Sequence, residues 1–249
     1  MFQVWIYTLI SVFVVSLISL IGVVTLSLQY HYLKKILLYL VSFSAGALLA
    51  DVFVHLLPEV FEDVGFPLQV SLYLLLGLFF PFIIEKFLHW HHCHHVHTEK
   101  HVHPFAIINL VGDLVHNFLD GLVIAVSYLV SIPVGLATTI AVIFHEIPQE
   151  IGDFAVLLHG GFSKGRALFL NFVTALSAIL GAVLALLISQ YFTSLTIFLI
   201  PFAAGNFIYI AAADLIPELH KEVNLEKSLY QIIGFLLGVL VMLLLLFLE

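Results

Sequence analysis

Charge is what this sequence has least of. Lys, Arg, Asp and Glu make up 10% of its 249 residues, against about 25% in soluble domains. Hydrophobic residues reach 62%, and the mean hydropathy is +1.17. A water-soluble globular domain is thereby excluded. Strand-like alternation is missing too, which excludes a membrane barrel. A single cysteine, Cys93, rules out an intrachain disulfide, so the fold does not depend on an oxidising compartment. No basic surface for nucleic acid exists, and no phosphate loop, dinucleotide fingerprint or ATPase motif occurs. The first apolar segment lacks a basic leader and is too long for a signal sequence, so it reads as a first span.

What is there is apolar length. A bilayer-spanning helix needs about 20 apolar residues. Eight stretches qualify: 4–28, 35–57, 68–88, 104–128, 132–159, 165–190, 194–217 and 229–248. Short turns join them, which predicts one all-α polytopic membrane domain over 1–249. Its eight basic residues are Lys34, Lys35, Lys86, Lys100, Lys164, Arg166, Lys221 and Lys227, and all fall in connections on one side. The positive-inside rule makes that side cytosolic. Both termini are then extracellular or lumenal.

Two distant segments read alike. Ser42 to Glu59 is SFSAGALLADVFVHLLPE, and Pro201 to Glu218 is PFAAGNFIYIAAADLIPE. Span three begins LYLLLGLFF at Leu72 and span eight begins LYQIIGFLL at Leu229, while Gly22 in span one matches Gly181 in span six. Spans 1–3 thus repeat as spans 6–8, and the topology makes the repeats inverted. That predicts a 3+2+3 arrangement around a central pair, spans four and five. Inverted repeats are a hallmark of transporters, with the substrate site near the midplane.

The central pair carries the polar residues. In span four, Asn109, Asp113, His116, Asn117 and Asp120 line one helix face. Span five contains HEIPQEIGD, which sets His145 and Gln149 one turn apart, with Glu146, Glu150 and then Asp153 beside them. An Asp near a span's centre costs roughly 2.5–3.5 kcal/mol on insertion scales. No Lys or Arg lies deep in any span to offset these acids. Protons or metal ions must supply the charge. Imidazole with carboxylate and amide oxygen suits Zn²⁺, Fe²⁺ or Mn²⁺, and i, i+4 pairs on two facing helices supply the four ligands of a tetrahedral site. Asn117, Glu146 and Glu150 leave room for a second ion. Pro148 has no N–H, so the Phe144 carbonyl loses its usual helical partner.

HNFLDGLVIA in span four and HEIPQEIGDFAVLL in span five resemble the two signature motifs of the ZIP (Zrt-, Irt-like) family of metal transporters. The resemblance covers the whole chain. It implies import of Zn²⁺, and often Fe²⁺, Mn²⁺ or Cd²⁺, toward the cytosol as substrate rather than cofactor. It implies a two-metal centre: His116, Asp120, His145 and Gln149 in one site, and Asn117, Asp120, Glu146 and Gln149 in the other, with Asn171 from span six nearby. It also implies a homodimer and an elevator-like movement. In a large subfamily a second His stands where Gln149 stands here.

Asp51 and His55 in span two, and Asp214 at the repeat position of His55 in span seven, read as accessory or gate ligands. The loop 89–103 holds His89, His91, His92, Cys93, His94, His95, His97, His101 and His103. Clustered His and Cys read as metal binding, here a cytosolic set that accepts or senses metal. A rival reading is an intramembrane zinc enzyme, since metalloproteases use HExxH. Gln149 stands where the second His should be, and Pro148 disturbs the helix, so that reading is disfavoured.

Overall fold

The computed structural model describes residues 1–25, 30–90, 104–190 and 195–248. Among them all regular structure is helical. Helix α1 is Phe2–Ile18, running on through a 3-10 turn at Ser19–Ile21 into Gly22–Thr25. Helix α2 comprises Tyr30–Ala50, a π-helical turn at Asp51–Leu56 and Leu57–Val64. Then come α3 (Leu68–Trp90), α4 (Pro104–Val130), α5 (Ile132–His159) and α6 (Lys164–Ala175 with Ser177–Ser189). Helix α7 comprises Leu195–Tyr209, a π-helical turn at Ile210–Leu215 and Ile216–Leu219, and α8 is Leu225–Leu245. Turn chemistry sets the boundaries. Ser131 caps α5 by accepting the Val134 amide, Asn224 caps α8 by accepting the Lys227 amide, and α2 stops at Gly65 with φ of 71°.

Seven of these helices are long and apolar enough to cross a membrane. The other long helix, α5, has 28 residues, about 42 Å at 1.5 Å per residue. Its length suffices, but the acids in its middle spoil its hydropathy. Burial explains how it tolerates them. Helix α5 packs against α1, α2, α4 and α6 and buries His145, Glu146 and Glu150 in protein rather than lipid. The opposite holds for α3 and α8. Only 11% and 17% of their apolar stretches are buried, against 61% for α7, so their outer faces meet hydrocarbon.

The two π turns sit 159 positions apart, the same offset that relates the SFSAG and PFAAG segments. Their cause is shared. Pro58 and Pro217 lie at the start of the helical piece that follows each turn. A proline removes one i→i−4 donor and crowds the preceding turn, and the helix answers by widening.

The packing is reciprocal as well. Helix α2 packs on α8, and α7 packs on α3. A Cβ added to Gly46 would lie 2.1 Å from the Phe235 carbonyl oxygen, and one on Gly205 would lie 2.0 Å from that of Leu74. Likewise Gly238 meets the Phe43 oxygen at 2.2 Å and Gly77 meets the Phe202 oxygen at 1.9 Å. Such matched pairs are what a two-fold relation between two similar units produces, and small residues are what let membrane helices approach this closely. The structure corrects one register. Leu72 and Leu229 are 157 positions apart, but Gly77 and Leu74 correspond in space to Gly238 and Phe235, 161 positions on. The slip is one helical turn. Helix α8 offers glycines at both 234 and 238, and only Gly238 meets a phenylalanine carbonyl.

The crossings make a direct prediction. Gly46→Val and Gly205→Val force backbone apart and should each cost about 1–3 kcal/mol or more. Gly165→Ala, where nothing lies within 4 Å of the new carbon, should leave stability unchanged. Thermal unfolding of the purified variants in detergent checks this, and equal midpoints for all three would contradict the tight crossing.

Candidate metal site

Helices α4 and α5 face one another along their polar sides. The His116 and His145 Nε2 atoms are 3.2 Å apart. Asp120 Oδ2 lies 3.1 Å from His145 Nε2 and 3.7 Å from His116 Nε2. Glu146 Oε1 lies 3.4 Å from His116 Nε2 and 3.5 Å from His145 Nε2. Four vertices held at zinc's bond lengths to N and O, about 2.0–2.2 Å, are about 3.3–3.6 Å apart in a tetrahedron. The five separations here, 3.1–3.7 Å, describe such a cage. A carboxylate and an imidazole come from each helix.

Neighbouring groups orient the cage. His145 Nδ1 is 3.3 Å from the Ala141 carbonyl. A proton held there leaves the Nε2 lone pair free to ligate, the usual way a metal-binding histidine is fixed. Pro148 frees the Phe144 carbonyl, and the structure supplies a substitute: Ser44 Oγ of α2 lies 2.6 Å from that oxygen. Ser and Thr hydroxyls commonly re-satisfy backbone freed by proline in membrane helices. Ser44 Oγ also lies 2.6 Å from Leu40 O in its own helix, so one proton serves two acceptors.

The other residues of the polar stripe form a second group one turn along. Asp113, Glu150 and Asp153 bring carboxylate oxygens within 4.8 Å of one another. Asn117 Nδ2 donates to Asp113 Oδ1 at 2.7 Å, Asn171 Nδ2 to Glu150 Oε2 at 2.5 Å, and Asn109 Nδ2 to Asp153 Oδ1 at 2.9 Å. Thr174 Oγ1 donates to Asp113 Oδ2. Gln149 lines the cavity together with His116, His145 and Asp153.

That cavity, about 870 Å³, is lined by both cage histidines. His116, His145 and Asp153 form its inner wall, and Asp214, Glu218 and Lys221 its mouth. Sequence reasoning missed Glu85, which lines it and accepts from Tyr209 at 2.7 Å, and Asn206, buried on the wall. Neither stands in a motif. Asp214 is exposed on its π turn. Asp51 and His55, on the matching turn of α2, are buried: Thr138 Oγ1 donates to Asp51 Oδ2 at 3.1 Å, and His55 Nε2 lies 3.0 Å from the Met242 carbonyl. The histidine-rich stretch 91–103, with Cys93, and the His89 side chain lie outside the described residues.

The electrostatics are one-sided. Asp113, Asp120, Glu146 and Glu150 are buried, and among the described residues no lysine or arginine forms an ion pair with any of them. Four charges at membrane depth amount to on the order of 10 kcal/mol on insertion scales. Divalent cations held by the groups that carry the charge remove that cost.

The comparisons agree with this chemistry. The sequence profile described as ZIP Zinc transporter matches residues 2–106 and 91–246. Zinc transporter zipt-7.1 of Caenorhabditis briggsae is 30% identical over 305 aligned positions, covering 95% of this chain and 78% of that protein. Zinc transporter ZIP13 of Mus musculus is 33% identical, covering 84% of this chain and 70% of its own length. Human zinc transporter SLC39A7 is 40% identical over 149 positions, 57% of this chain and 32% of that longer protein. Two motif-bearing helices, a cage with zinc's dimensions and a profile spanning nearly every residue lead to one conclusion: this chain belongs to the ZIP zinc transporter family.

Proposed function

We propose that this chain carries zinc, or a divalent metal of similar preference such as Fe²⁺, Mn²⁺ or Cd²⁺, toward the cytosol through the cage of His116, Asp120, His145 and Glu146. The observation that carries this reading is the N₂O₂ donor set, whose separations fit a tetrahedron and whose two histidines line the cavity. Borderline cations prefer imidazole mixed with carboxylate. Membership of a transporter family sets aside the hydrolase reading of HEIPQ.

Direction follows from the charges. Lys221 at the cavity mouth belongs to the basic set of residues, and the positive-inside rule assigns that side to the cytosol. Helix α5 then crosses as an eighth span, and both termini lie outside. We read the outer end, where Asp51 bonds Thr138 and His55 bonds the Met242 carbonyl, as the closed side of the path. On this reading the conformation is open inward, and transport requires an alternative in which these contacts part and the inner cavity shuts. Inverted repeats provide two such arrangements of similar energy. The positive-inside rule assigns the histidine-rich stretch 89–103 to the release side, where it would take up or sense arriving metal. The lipid-facing sides of α3 and α8 are available to a second copy of the chain.

Two outcomes test this. Liposomes loaded with a zinc-sensitive dye should admit Zn²⁺ with the wild-type chain and not with His116→Ala/His145→Ala at equal folded protein; uptake by the double variant would remove the cage from the path. Within the cage, Glu146→Gln should weaken zinc binding about a hundred-fold, one ligand's share of roughly 10–16 kcal/mol for a four-ligand site. Gln149→Ala should weaken it much less. Affinity should fall as pH is lowered, because protons compete for the imidazoles and carboxylates. Calorimetric titration at two pH values reads all three effects, and a larger loss in Gln149→Ala would move the fourth ligand there.

A further inference from the structure

The cage takes its side chains from α4 and α5, but one of its supports comes from α2. Pro148 leaves the Phe144 carbonyl without its helical donor, and Ser44 Oγ donates to that oxygen at 2.6 Å. The carbonyl belongs to the peptide unit that leads into His145. A peptide unit is planar, so a tilt of the Phe144 oxygen turns the His145 amide with it. The His145 ring hangs from the same stretch of backbone. Its Nδ1 lies 3.3 Å from the Ala141 carbonyl, which is also the i−4 acceptor that a helix assigns to the His145 amide. Holding one peptide plane therefore holds the imidazole whose Nε2 lies 3.1 Å from Asp120 Oδ2.

The grip has a second part. The ring of Phe43, next to Ser44 on α2, packs on the ring of Phe144 with centroids 4.4 Å apart. Helix α2 thus holds the residue before His145 by its carbonyl and by its side chain. Ser44 is fully buried. Its hydroxyl also reaches the Leu40 carbonyl of its own helix at 2.6 Å, so Ser44 keeps an acceptor if α5 shifts. The Phe144 carbonyl has no such reserve within its helix, because Pro148 has no N–H to offer. The dependence runs from α5 to α2.

We propose that Ser44 is a positioning residue for zinc, which sets the affinity of the cage through the Phe144–His145 peptide unit without touching the metal. The proposal rests on the cage reading and names a residue outside the α4–α5 pair that governs it. Coupling of this kind is reciprocal. Zinc in the cage tightens the hold of α2 on α5 by the factor by which that hold tightens zinc. The helix pair that responds is the one also joined by Asp51 and Thr138.

Calorimetric zinc titration of the purified full-length chain tests this. Ser44→Ala should weaken zinc binding about ten-fold, the scale on which outer partners of metal ligands act. Pro148→Ala returns a backbone donor to the Phe144 carbonyl. On that background Ser44→Ala should cause no further loss of affinity, because the hydroxyl is no longer needed. A serine that only packs the α2–α5 interface would lower the thermal midpoint in both backgrounds and leave zinc affinity alone. Should Pro148→Ala bind no zinc, Ser44→Thr supplies the control, since it keeps the hydroxyl and should retain wild-type affinity. Wild-type affinity in Ser44→Ala, an equal loss with and without Pro148, or a loss in Ser44→Thr as large as in Ser44→Ala would overturn the proposal. Failure of the cage itself gives a different pattern: wild type would bind zinc no better than His116→Ala/His145→Ala.

Discussion

Negative charge held at membrane depth without a basic partner is the condition to which the rest of this structure answers. Asp113, Asp120, Glu146 and Glu150 are buried on helices that would otherwise suit hydrocarbon. They cannot face lipid, so α4 and α5 turn them toward each other, and the remaining helices enclose that pair. Enclosure explains why α5 can be the least lipid-like long helix of the fold: it takes its surroundings from α1, α2, α4 and α6. The same enclosure forbids a regular helix at Pro148, unless another element supplies a donor, and Ser44 of α2 does so. One site constraint thereby fixes contacts on three helices.

The outer frame is built differently. Where α2 meets α8 and α7 meets α3, glycine lets a backbone carbonyl of one helix lie against the bare Cα of the next. Contact this close suits a solvent as apolar as the helices themselves, in which packing rather than the hydrophobic effect holds helices together. The two crossings are copies of one another, as are the two π turns. Their surroundings differ. On the α2 turn, Asp51 and His55 are buried against α5 and α8, whereas on the α7 turn Asp214 stands open at the cavity mouth. Two copies of one device thus appear in different states.

Much of this was legible in the sequence, for identifiable reasons. Composition and run length predict membrane helices because the bilayer demands them, and an i, i+4 spacing places polar side chains on one face whatever the tertiary fold. Other features depend on geometry between helices, which spacing does not encode. The match of Gly77 to Gly234 is natural in the letters, yet Gly238 is the residue that meets the Phe43 carbonyl. His145 and Glu146 are adjacent and start about 100° apart on their helix, so face arithmetic separates them. They converge because the cage lies at the seam of α4 and α5, where both side chains can bend inward. The same arithmetic pairs Gln149 with His145, and both line the cavity.

The separation of the polar stripe into two groups has its own logic. A histidine cage and an oxygen-only cluster one turn apart differ in ligand softness, and softness rather than size divides borderline from hard cations. Had histidines been spread along the whole stripe, one metal would be attracted equally at every depth and would have little reason to leave. Confining both imidazoles to the deeper group would make the proposed cage the strongest point for zinc, while Asp113 and Asp153 line the cavity. Asp214 and Glu218 continue the oxygen character to the mouth, where Lys221 first supplies positive charge. On the proposed path, a zinc ion leaving the cage through the cavity would exchange nitrogen ligands for oxygen and then for water, each exchange weakening its hold.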